Sequence, residues 1–285
     1  MKRNALRRPS LVMIFLAMAL LLLGDGRSET QAASRTGGKR ARLFRRAPVR
    51  NACQVAAKEA SGAEAQVGPR NPVRPRDQMP WKKLFDGRSL AGWQVADEAD
   101  FANSGKVIVH QAKAAGPKAG NGKAGKGRIE LGMGNPATGI VRTTKMPTIN
   151  YEIKLDAMRT GGGDFFCGLT FPVRDEFCTL IIGGWGGGVV GLSNLDSLPA
   201  SENHVSNFKD FKDNQWYAIR LLVTEKKIQA WIDGESMLEV ETDKHRYDIW
   251  WEQEPMRPLG IATWYTSAAL RDLQIKNVKP GQANK

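Results

Sequence analysis

Asp196 and Glu202 stand six residues apart in the densest polar run of the chain, Ser193-Asn194-Leu195-Asp196-Ser197-Leu198-Pro199-Ala200-Ser201-Glu202-Asn203-His204. Two carboxyl groups on either side of a glycosidic bond are what its acid–base cleavage requires. The planar amides of Asn194 and Asn203, with His204, suit hydroxyl groups as paired donors and acceptors. Just upstream, the glycine-rich Gly183–Gly191 stretch carries Trp185. An indole left uncovered there can stack on the apolar face of a sugar ring, whereas glycines that permit close sheet packing would put it in the core. Asp164, after Thr160-Gly161-Gly162-Gly163, and the cluster Trp250-Trp251-Glu252-Gln253-Glu254 are weaker candidates for the same chemistry. Asn194 and Asp196 also offer hard oxygens to a calcium ion; no other cofactor is expected. For the whole 193–204 run the competing reading is a solvated surface loop.

Other chemistries are poorly served. Gly186 to Gly191 forms a Gly-x-Gly-x-x-Gly, but Leu192-Ser193-Asn194 follows where a dinucleotide site needs a helix N-terminus. His110, His204 and His245 are scattered, there is no Cys-x-x-Cys and no Gly-x-Ser-x-Gly, so neither a zinc centre nor a serine-hydrolase elbow is expected.

The elements that must position these residues are strands. From Trp81 onward the chain runs in five- to nine-residue stretches of period-two alternation, clearest in Tyr151–Leu155, Tyr217–Leu221 and Ile228–Ile232. Further strands are predicted at 107–110, 128–131, 140–144, 165–171, 177–182, 189–193, 237–241, 259–264 and 270–278. Asp233-Gly234 supplies a hairpin turn, and Gln111 to Gly127 reads as an exposed loop. About a dozen strands over roughly 200 residues, with no helical crossovers, predict an all-β antiparallel sandwich of jelly-roll type. Cys167 and Cys178 flank the turn-like Pro172-Val173-Arg174-Asp175. They are read as small core residues, with a cross-strand disulfide as the less favoured alternative.

The net charge of +13 is unevenly spread: residues 1–80 hold 16 Lys/Arg against 5 Asp/Glu, and residues 81–285 hold 26 against 24. A nearly neutral domain lacks the field for phosphate neutralisation, so no nucleic-acid partner is expected. Lys2-Arg3 and Arg7-Arg8 followed by the apolar run Leu11–Gly24 have the form of a signal peptide, taken as residues 1–33. That run is too short for a membrane span, so export without a permanent span is expected. Residues 34–80, rich in Pro, Ala and Arg, read as a disordered basic linker able to touch anionic surfaces, and 280–285 as a tail.

Two stretches resemble a known family. Leu84-Phe85-Asp86-Gly87-Arg88-Ser89-Leu90-Ala91-Gly92-Trp93 looks like the F-(N/D)-G-(K/R)-x-L-x-G-W opening of the 3-keto-disaccharide hydrolase domain family. Pro258–Trp264 with Ala269-Leu270-Arg271-Asp272-Leu273-Gln274-Ile275 is similar to its closing strands. The resemblance, to a member of planctomycete type, implies a concanavalin A-like lectin/glucanase sandwich over 81–279 in an exported, carbohydrate-active protein. It also implies glycosidic hydrolysis, for which the residues themselves suggest a cleft built from Trp185, the loop Asn194 to His204, and Trp264; the alternative is a non-catalytic glycan-binding or surface-adhesion module. Enzymatic members carry a Glu-x-Gln stretch where this chain reads Cys178-Thr179-Leu180-Ile181-Ile182, so the acidic residue is missing.

Overall fold

The computed structural model of the protein describes residues 79–96, 101–112 and 126–280. The signal peptide, nearly all of the linker, most of the Gln111–Gly127 loop and the last five residues of the tail lie outside them. No helix among the described residues is long and apolar enough to cross a membrane.

Two antiparallel sheets enclose one core, the expected all-β sandwich. In chain order the strands are β1 (Lys82–Lys83), β2 (Trp93–Val95), β3 (Val107–His110), β4 (Arg128–Leu131), β5 (Ala137–Arg142), β6 (Tyr151–Gly162), β7 (Cys167–Val173), β8 (Glu176–Gly184), β9 (Val189–Ser193), β10 (Asn207–Phe208), β11 (Tyr217–Val223), β12 (Lys227–Ile232), β13 (Glu235–Glu241), β14 (Gly260–Trp264) and β15 (Thr266–Asn277). The eight-stranded sheet runs β13-β12-β11-β6-β15-β4-β3, with β1 paired to β15; the seven-stranded sheet runs β10-β9-β8-β7-β14-β5-β2.

Alternation decides what faces inward. On β6, Tyr151, Ile153, Leu155 and Ala157 enter the core while Glu152, Lys154 and Asp156 face outward. On β8, Cys178, Leu180 and Ile182 point in and Thr179 and Ile181 out. Tyr151, fully buried in the core, donates its hydroxyl to Pro172 O at 2.5 Å, so its polar end is satisfied.

The opening and closing signatures meet. Asp86 Oδ1 accepts from the N–H of Arg88 (2.7 Å) and Ser89 (2.8 Å), building the turn in which Gly87 has φ +79°. Trp93 is buried and its Nε1 donates to Leu84 O at 2.8 Å, while Leu84 N donates to Leu273 O at 2.8 Å. β1 then pairs with the second half of β15, Lys82 opposite Ile275. Gly127 closes against this turn so tightly that a Cβ would lie 2.0 Å from Gly87 O. Gly127→Ala is therefore expected to destabilise the domain by about 1–3 kcal/mol, as overpacking does, seen as a Tm lowered by roughly 2–10 °C.

Cys167 and Cys178 are free and buried. They do not face each other across the hairpin: Cys167 pairs with Ile182 and Cys178 with Phe171. The disulfide alternative is thus excluded by register, and both thiols serve as core filling. Burial pushes the Cys167 thiol up to about 12 and that of Cys178 higher still. Alkylation by iodoacetamide at pH 8, mapped by peptide mass, should leave both unmodified until denaturant is added.

Candidate functional site

The turn between β8 and β9 presents Trp185. Gly187 and Gly188 donate to Gly184 O (3.3 and 3.2 Å), and the tight turn places Trp185 at φ +47° with 44% of its surface exposed. Arg159 braces the turn: Nη1 donates to Gly187 O at 3.3 Å, Nη2 to Phe211 O at 2.6 Å, and Nε pairs with Asp213 at 2.5 Å. Asp164 joins from the entrance to β7. Its Oδ1 accepts the N–H of Phe165 (2.7 Å) and of Trp185 (3.2 Å), and its own N–H donates to Thr266 Oγ1 at 2.9 Å. Trp264 completes the group, its N–H donating to Phe165 O at 3.1 Å and its ring stacked on Phe165 with centroids 6.1 Å apart; exposed Tyr265 sets its ring edge-on beside it.

Asp164, Trp185 and Trp264 thus meet at one end of the seven-stranded sheet. Ala200, Ile181 and Val189 pack with Phe165 and Trp264, which draws the 194–204 loop alongside. Partial burial pushes the Asp164 carboxyl above the usual aspartate value, against the opposing pull of its two N–H donors.

The loop residues are arranged differently from the expected cleft. Asp196 turns to the 245–247 segment: Oδ1 accepts the N–H of Arg246 at 2.9 Å and Oδ2 lies 2.7 Å from His245 Nδ1. The Arg246 N–H and His245 hold its carboxyl below the ordinary aspartate value. His204 stacks on His245, centroids 5.0 Å apart. Glu202 is exposed, its N–H donating to Pro199 O at 3.0 Å. Asn203 is only 6% exposed and its Nδ2 donates to Leu192, Leu198 and Pro199 carbonyls, so it holds the loop's shape. Asn194 is buried, Oδ1 accepting from Ser193 Oγ at 3.1 Å and its N–H donating to Asp248 O at 2.6 Å. Both amides are thus buried, and Asn203 Nδ2 is committed to main-chain carbonyls. Asp196 and Asn194 are engaged with different partners, and among the described residues no group of three His, Cys, Asp or Glu side chains is placed to hold a metal. Where Glu-x-Gln is expected, Thr179 and Ile181 face outward. Thr179 Oγ1 lies 2.9 Å from Thr170 Oγ1 and both threonines are buried. A 3₁₀ turn at Trp251–Met256 covers the neighbouring β5 and β14, burying Gln253 and Met256 and leaving Trp250 and Trp251 outward.

A second constellation escapes the sequence reading. The outward face of the eight-stranded sheet holds a cavity of about 520 Å³ lined by Lys154, Asp156, Arg220, Trp231, Asp272 and Gln274, among others. Arg271 pairs with Asp156 (2.9 Å) and lies 4.0 Å from the centroid of Trp216; Lys126 pairs with Asp272. Asp272 takes φ +55° in a bulge of β15 between Arg271 and Gln274, which turns the closing signature into the cavity wall. The signal lay in the alternation of Tyr151–Leu155 and Tyr217–Leu221: its apolar half predicts the core, and its polar half is this face.

A family described as the 3-keto-alpha-glucoside-1,2-lyase-like domain matches residues 80–276, spanning both signatures. The chain belongs to this family. As a member of the keto-glucoside lyase-like family it is a carbohydrate-active or carbohydrate-binding domain. Curated proteins give no significant match. Among solved structures, this lyase-like domain is similar to a putative glycosyl hydrolase from Parabacteroides distasonis at 13% identity and TM-score 0.38, covering 70% of this chain and 94% of that one. It is also similar to the carbohydrate binding module CBM66 from Bacillus subtilis at 9% identity and TM-score 0.35, covering 61% and 98%.

Proposed function

We propose that this is an exported protein that cleaves the glycosidic link of a 3-keto disaccharide at the aromatic end of the seven-stranded sheet. Asp164 is the acid–base group and Trp185 and Trp264 are the sugar platform. The observation that carries the reading is the Asp164 carboxyl, set between two aromatic residues by backbone N–H donors and made more basic by burial.

A ketone at C3 acidifies the hydrogen on C2. A single carboxylate can take that proton, the C–H electron pair moving toward the C3 oxygen and then forming the C1–C2 double bond as the C1–O bond breaks. The departing oxygen is protonated, returning the carboxyl to its starting state, and later addition of water to the unsaturated sugar makes the net result hydrolysis. Such chemistry does not require the two flanking carboxylates of ordinary glycoside hydrolysis, which fits a site where Asp196 is turned toward His245.

A binding module is the second reading, favoured by the buried Thr170–Thr179 pair where family enzymes carry acid. Chromatography of 3-keto disaccharide incubated with the full chain separates the two. Release of free sugar supports cleavage and retention without release supports the module; either outcome, if lost on Trp264→Ala, supports this platform, and if unchanged by that substitution it points to a site elsewhere.

A further inference from the structure

Register across the eight-stranded sheet sets four outward side chains in one row: Trp231 opposite Arg220, Arg220 opposite Lys154, and Lys154 opposite Gln274. Two cations directly opposite each other on neighbouring strands repel and destabilise a sheet. The next row answers this only in part. Glu152, 1% exposed, lies 3.5 Å from Arg220 Nε and 2.6 Å from Lys276 Nζ, and so divides one negative charge between two cations. The cavity's other carboxylates are engaged, Asp156 by Arg271 and Asp272 by Lys126. Lys154 has no carboxylate partner among the described residues; its ammonium sits 4.1 Å from the centroid of Trp81. Arg220 is held 3.7 Å over Trp231, which fixes its direction before any ligand arrives. Beside the row, Ala218 and Gly234 leave the cavity open.

We propose that this row is a second sugar site, one that takes the anionic group of an acidic oligosaccharide, a uronate carboxylate or a sulfate ester, between Lys154 and Arg220. Gln274 is left for hydroxyls. The site lies on the opposite face of the sandwich from Asp164 and does not depend on the cleavage reading.

Calorimetric titration of the full chain with tetragalacturonate, a sulfated tetrasaccharide and neutral cellotetraose tests it. At least one acidic probe should bind about tenfold or more tighter than the neutral one, with affinity falling as salt rises; which acidic probe is preferred identifies the anion. Lys154→Gln should abolish the preference while leaving the unliganded Tm unchanged or higher, because repulsion is relieved, and keto-sugar turnover unchanged. Asp164→Asn should leave acidic-probe binding intact. Equal affinity for acidic and neutral probes, or a preference surviving both Lys154→Gln and Arg220→Gln, overturns the proposal.

Discussion

Asp164→Asn is expected to lower turnover of a 3-keto disaccharide by about 10²- to 10⁴-fold, the range over which a positioned acid–base group contributes. The substitution is sterically mild. An amide oxygen can still accept the N–H groups of Phe165 and Trp185 that Oδ1 accepts now, so the platform should keep its shape and the sugar its affinity. In the parent protein the rate should rise with pH through an acid limb lying above the ordinary aspartate value, because burial raises that carboxyl. The sign for stability is opposite. A folded-state value above the unfolded one means the fold favours the neutral carboxyl, so its contribution is present at low pH and lost as pH rises through the raised value. Asp164→Asn should therefore gain stability relative to the parent on going from acid to neutral pH. Loss of kcat with unchanged KM, with the acid limb abolished, checks the assignment; an unchanged rate would remove Asp164 from the chemistry.

Glu152→Ala should produce the largest loss of stability, about 3 kcal/mol, near the lower end for removing one partner of a buried ion pair. Although Lys276 Nζ approaches Oε2 to 2.6 Å, that oxygen accepts no hydrogen bond of good geometry. The effect of losing Glu152 is thus chiefly that Arg220 and Lys276 are left without their shared anion. Arg220 reaches solvent, which moderates the loss. Guanidinium denaturation should show a lower midpoint with unchanged slope, and a second change, Lys276→Met, should restore part of the loss because it removes one of the stranded cations. Additive losses in the double variant would mean that the two side chains are not coupled.

Short runs of β-forming residues bounded by turn or loop signals were legible from sequence: Val107–His110, Arg128–Leu131 and Val189–Ser193 have the predicted bounds. Lys82–Lys83, Trp93–Val95 and Asn207–Phe208 were not, because two or three residues carry no periodicity and are held by partners far away, Lys82 by Ile275 and Asn207 by Val190. The site divides in the same way. Trp185 and Asp164 were both singled out, and their meeting follows from a β7–β8 hairpin whose turn was recognisable. Asp196 reads from sequence as a candidate cleavage carboxylate because nothing local indicates that His245 and Arg246 will occupy it. The Trp231–Arg220–Lys154–Gln274 row draws on four strands, and only register assembles it.

The pairing of β1 with β15 also determines how this domain can be joined to other chains. Lys82 lies opposite Ile275, and Pro80 borders the same recess as Lys276 and Asn277, so the two points at which the backbone enters and leaves the sandwich are neighbours on one edge. A host protein could therefore accept residues 80–278 as a cassette spliced into a surface loop, its own fold interrupted by no more than a hairpin's width.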